Sequence, residues 1–160
     1  MEIVKQDPRR QGDQGELSAA FWFGERGASV FMPPFHTPRD YDFIVDWGEG
    51  VRRVQVKTST YFHNGRWGIT LCTRVGNRSW SGLVKRLDPA RYDILFVVVG
   101  DRRRWLIPAV DVAGGSGLNL GGPKYAEYEI ERGEPLLAQV RTLDSAALRR
   151  DSRAVKGDGL

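Results

Sequence analysis

At 160 residues, with 41% hydrophobic and 28% charged side chains, the chain has the size and composition of one globular domain with an ordinary core, not of a disordered or fibrous polymer. Lys and Arg number 24 against 20 Asp and Glu, so the net charge is +4 and the pI is near 9.5, a mild bias toward a polyanionic partner. A single cysteine, Cys72, excludes an intramolecular disulfide and a multi-cysteine zinc site, and two histidines, His36 and His63, are too few for a histidine-based metal centre. With no signal-like or membrane-length apolar run, a cytoplasmic location is expected.

Residues 1–8 read as a short tail ending at Pro8. Arg9 to Arg26 fits a helix with Leu17, Ala20, Phe21 and Gly24 on its apolar face, Glu16 at the edge of that face, and Gly27 as its stop. Pro33, Pro34 and Pro38 predict an irregular connection.

Two alternating runs follow, Asp40 to Asp46 and Val51 to Thr58, separated by Trp47-Gly48-Glu49-Gly50, and they predict an antiparallel hairpin. Centring the loop on Gly48-Glu49 sets Asp46 opposite Val51, Ile44 opposite Arg53, Asp42 opposite Gln55 and Asp40 opposite Lys57. Directly opposed residues share a face, so Asp42, Gln55 and Lys57 converge on one surface. A one-residue slip would scatter them. A carboxylate, an amide oxygen and an ammonium group on one face suit a hard divalent cation beside a phosphodiester. Asp40 and Asp46 read as turn or surface residues, and Ser59 shares the Lys57 face.

His63-Asn64-Gly65-Arg66 is a second hairpin turn, and Trp67 to Arg74 is its returning strand. Residues 75–91 are mixed and basic around a short helix, with Arg74, Arg78, Lys85, Arg86 and Arg91. Ile94 to Val99 is an unbroken apolar run, as in a strand buried on both faces. Asp101-Arg102-Arg103-Arg104 turns it into Trp105-Leu106-Ile107; the arginines are either a solvated turn or a phosphate contact. Gly114 to Gly122 reads as a Gly-rich connection without the Gly-Lys-Ser/Thr ending of a phosphate loop. The five tryptophans, Trp22, Trp47, Trp67, Trp80 and Trp105, read mainly as core. The two histidines read as loop residues. A single domain over 1–145 and a disordered basic tail over 146–160 are expected.

The Asp42…Gln55-Val56-Lys57 pattern resembles the PD-(D/E)xK nuclease superfamily, with Gln55 standing where an acidic residue is usual. More narrowly it is similar to the group I intron-associated PD-(D/E)xK endonucleases, whose members often read Gln-Val-Lys at this point. Gly12-Asp13-Gln14-Gly15-Glu16-Leu17 with Ala19 and Ala20 resembles that family's first helix, and Ser29 to Pro33 its next strand. Tyr92-Asp93 to Val99 with Trp105 to Pro108 resembles its later hairpin. The resemblance implies an α/β (α+β) fold: a restriction-endonuclease-like core whose central mixed β-sheet is flanked by helices. It implies a metal-dependent DNA endonuclease of the homing type, with Glu16, Asp42, Gln55 and Lys57 as catalytic residues. Mg²⁺ or Mn²⁺ would be held by Asp42, Gln55 and the Val56 carbonyl, with Glu16 acting through water or a second ion. A homodimer or tetramer would serve to cut two strands. Two other readings stay open: a nuclease-fold DNA-binding module with little or no turnover, and a basic domain that binds another protein.

Overall fold

The computed structural model describes residues 7–33, 40–74, 84–112 and 115–130, all within one compact unit spanning residues 1–130. Helix α1 is Pro8–Glu25, and the strands are β1 (Ser29–Phe31), β2 (Phe43–Asp46), β3 (Val51–Ser59), β4 (Phe62–His63), β5 (Arg66–Thr70), β6 (Cys72–Arg74), β7 (Val84–Arg86), β8 (Ile94–Val99), β9 (Arg104–Pro108), β10 (Gly117–Leu120) and β11 (Glu129–Ile130). The main sheet runs β1-β2-β3-β8-β9-β11, and only the β3–β8 pair is parallel. A three-stranded sheet, β10-β5-β4, and the β6–β7 pair complete the strands.

Local chemistry explains where α1 starts and stops. The Asp7 carboxylate accepts a hydrogen bond from the Arg9 amide, Pro8 fits the first turn, and Gly27, at φ 83°, takes the left-handed conformation after the last turn. The buried face is not the expected one. Gly15, Ala19, Trp22 and Phe23 face the sheet, whereas Leu17 and Phe21 are 62% and 68% exposed. The reason is proximity. A Cβ on Gly15 would collide with the γ-methyl of Thr58 and touch Val56, so this part of the helix must present its smallest residues to β3. Beyond it the gap is filled by Trp22 and Phe23, whose rings pack on Phe96 at 5.3 and 5.4 Å, with Phe23 also 5.8 Å from Phe43.

All six residues of β8 are buried, as expected for a strand covered on both sides. Phe96 meets α1, while Leu95, Val97 and Val99 join Trp67, Ile69, Leu118, Leu120, Trp105 and Ile107 in the larger core. The fold class is therefore the expected mixed α+β sheet protein, with one refinement. Among the described residues α1 is the lone α-helix, and the small β10-β5-β4 sheet, not another helix, supplies the core on the opposite face.

Other expectations are adjusted by the strands. The Gly-rich stretch contains β10, whose Leu118 and Leu120 are buried while Gly117 and Asn119 are exposed. The run from Trp67 to Arg74 divides at Leu71 into β5 and β6, which belong to different sheets. The described part of 75–91 holds β7 and a 3₁₀ turn, Pro89–Arg91. Pro34, His36, Pro38, Arg78, Trp80, the 145 boundary and the tail after it lie outside the described residues. Among the described residues no helix is long and apolar enough to cross a membrane.

Gly15→Val should lower unfolding free energy by about 2 kcal/mol through overpacking against β3. Chemical denaturation measures it. In a Thr58→Ala background, which lacks the obstructing methyl, the penalty should shrink.

Candidate active site

The site is built where β2 and β3 part. Their register pairs Asp46 with Val51, Ile44 with Arg53 and Phe43 with Val54, as the loop count requires. The loop itself is set by Gly48 and Gly50, both at positive φ, and by the Asp46 carboxylate, which accepts from the Gly48 amide at 2.7 Å. One more backbone bond, from the Asp42 amide to the Val54 carbonyl at 2.8 Å, extends the ladder past Phe43. Beyond that bond no β2 backbone pairs with Val56. A side chain takes over: the Asp42 carboxylate accepts from the Val56 amide at 2.6 Å.

Gln55 closes the arrangement. Its amide nitrogen donates to the same Asp42 oxygen at 2.6 Å and to the Val56 carbonyl at 3.1 Å. One donor therefore bridges two oxygens, a carboxylate and a backbone carbonyl, on the open side of the fork. Asp42, Gln55 and Val56, three of the residues singled out in the sequence, are in direct contact. Lys57 lies close enough to act electrostatically on Asp42. Burial pushes the Asp42 carboxyl above its ordinary value, despite the Val56 amide, the Lys57 ammonium and the Gln55 amide, which each pull it down.

The surroundings hold the fork in place. Arg53 donates through its backbone amide, Nε and Nη2 to the Asp93 carboxylate at 2.7, 3.1 and 2.9 Å, tying β3 to the start of β8. Burial raises the Asp93 carboxyl, but these bonds and the Arg53 charge outweigh it and leave the group below the usual carboxylate value. Asp40 was expected opposite Lys57 at a turn or surface. Instead it lies outside β2, its side chain only 5% exposed, and its carboxylate pairs with Arg91 at 2.9 Å. That pair anchors the chain two residues before Asp42.

Glu16 is half-buried, one residue after the Gly15 contact with β3. Its helix covers the Val56 and Thr58 face, whereas Gln55 and Lys57 alternate onto the other face. Glu16 is thus carried by the element on the face of β3 opposite to Gln55 and Lys57. Ser59 is committed to structure, since its hydroxyl donates to the Gly68 carbonyl at 2.6 Å. Arg103 is likewise engaged, with Asp101 at 2.9 Å and Glu129 at 3.6 Å. Among the described residues no three His, Cys, Asp or Glu side chains cluster as a metal-binding group.

No family model matches the chain, and no curated protein matches it in sequence. Its structure does match a solved one described as a bacterial homing endonuclease, I-Ssp6803I, with a TM-score of 0.69 over 91% of this chain and 99% of that chain. The chain has the fold of that structure. At 18% sequence identity the likeness lies in the backbone path, and it spans the whole of the other chain, not one shared hairpin.

The raised Asp42 value fixes the sign of a pH effect. A carboxyl whose folded value exceeds its unfolded one favours folding fully below the unfolded value, about 4, and that contribution is lost as pH rises through the folded value. In chelator, wild type should therefore lose stability relative to Asp42→Asn as pH climbs above about 4. Urea titrations across pH measure the difference. The asparagine fits, because its side-chain oxygen can accept from both the Val56 amide and the Gln55 amide nitrogen as the Asp42 oxygen does. A pH-independent difference would contradict the burial argument.

Proposed function

We propose that this chain is a divalent-metal-dependent DNA endonuclease of the homing type, hydrolysing phosphodiester bonds at the β2–β3 fork. The observation that carries the reading is the Gln55 amide nitrogen bridging the Asp42 carboxylate and the Val56 carbonyl, with Lys57 beside them. A single donor serving two oxygens occupies the kind of position a small cation would take. The donor set fits Mg²⁺ or Mn²⁺: all oxygen, one formal charge, and room to keep several waters.

In this mechanism Asp42, the Val56 carbonyl and the Gln55 side-chain oxygen would hold the metal. Glu16 contributes through water from the α1 side. The bound metal would supply Lewis acidity and charge neutralisation at the phosphate. Lys57 orients the attacking water and stabilises the negative charge that develops on the phosphoryl oxygens. Asp42 would keep its role as acceptor for the Val56 amide. The basic surface attracts the phosphate backbone without reading sequence. A homodimer or tetramer would place two such sites on opposite strands.

A second reading has one specific support. Gln55 brings no charge to the site, so metal affinity is weaker than with a carboxylate, and the chain could bind DNA while turning it over poorly. Cleavage of supercoiled and random-sequence DNA with Mg²⁺ or Mn²⁺ separates the two. The endonuclease reading expects cleavage, a loss of about 100-fold or more in Lys57→Ala, and unchanged melting of that variant. It expects Gln55→Glu to saturate at lower metal concentration. DNA binding indifferent to metal, with no cleavage by wild type or Gln55→Glu, would favour the binding module.

A further inference from the structure

Four residues beyond Lys57 the chain presents Tyr61, Phe62, His63, Asn64, Gly65 and Arg66, all exposed. They form the β4–β5 hairpin, whose tight turn puts Asn64 at φ 49° and Gly65 at φ 72°. Its aromatic side chains divide by face. Phe62 leans on the buried Trp67 at 4.8 Å and belongs to the fold. Tyr61 and His63 lie on the other side as a stacked pair, 6.2 Å apart and 23° from parallel, and Tyr61 is 64% exposed.

This pair is held in place. The Ser59 hydroxyl accepts from the Tyr61 amide at 3.1 Å and donates to the Gly68 carbonyl, and the Gly68 amide donates to the Tyr61 carbonyl at 3.0 Å. The Tyr61 ring lies over Gly68 so closely that a Cβ there would stand 2.8 Å from it. The ledge borders a cavity of about 460 Å³ to which Thr70, Ser116 and Asn119 contribute polar side chains, with no acidic residue on its wall. Neutral hydroxyls and an amide are groups that meet phosphate and sugar oxygens. Rigid exposed rings are groups that stack on bases or sugars at little entropic cost.

We infer that the Tyr61–His63 ledge and the polar cavity beside it form a DNA-holding element that grips the nucleotides next to the scissile phosphate, the rings against base or sugar and the hydroxyls against the backbone. This rests on the nuclease reading and extends it. Tyr61 is at most about 14 Å of extended chain from Lys57, so the gripped nucleotides are near neighbours of the cleaved bond. Neither ring belongs to the catalytic group. They are positioning residues.

Fluorescence anisotropy with a labelled random-sequence duplex in chelator tests the element apart from cleavage. Wild type should bind the duplex. Tyr61→Ala/His63→Ala should bind on the order of tenfold or more weakly, while Tyr61→Phe, which keeps the ring, should stay within about twofold of wild type. Photo-crosslinking of a 5-iodouracil duplex to wild type should leave its adduct within residues 61–66, a readout that does not depend on how any variant folds. A double variant that binds like wild type, or an adduct confined to other residues, overturns the inference and leaves the nuclease reading standing. Failure of wild type to bind any duplex overturns both.

Discussion

The interaction on which the site depends is the bond from the Val56 amide to the Asp42 carboxylate. Where β2 leaves β3, backbone groups of the longer strand lose their ladder partners, and a buried amide without a partner costs about 1–3 kcal/mol. Asp42 satisfies that amide with a side chain in place of a main chain. The same substitution puts a carboxylate beside the Val56 carbonyl and the Gln55 amide. A structural requirement at a strand fork and a chemical requirement for clustered oxygens are met by one residue.

The rest of the molecule keeps this fork from closing or drifting. β8 backs β3 in parallel register, and Arg53 is tied to Asp93 at the start of that neighbour. Asp40 is pinned to Arg91 on the approach to β2. From the other side, α1 presses on β3 through Gly15 at the level of Val56 and Thr58. Each of these contacts lies within a few residues of the Asp42–Gln55–Val56 group it supports.

The hairpin was legible because its determinants are local. Two glycines at positive φ and an aspartate that closes the turn fix the register, and the register fixes which side chains meet. The Asn64-Gly65 turn and the buried run Ile94 to Val99 were legible for similar reasons. The α1 face was not. Leu17 and Phe21 are strongly apolar, yet close approach to β3 selects Gly15 and Ala19 at that level, with Trp22 and Phe23 filling the gap beyond. β10 was hidden by its glycines, although the alternation Leu118-Asn119-Leu120 marks it. Asp40 depended on Arg91, far along the chain, and nothing local announces that pair.

The central claim is that the oxygens of Asp42, Gln55 and Val56 form a divalent-metal site on a nuclease fold. Anomalous scattering from a crystal soaked in Mn²⁺ addresses it directly. The account predicts a peak within bonding distance of the Asp42 carboxylate and the Val56 carbonyl, with the Gln55 amide turned so that its oxygen faces the ion. A Mn²⁺ peak elsewhere, or none at the fork while metal-dependent DNA cleavage persists, would contradict it.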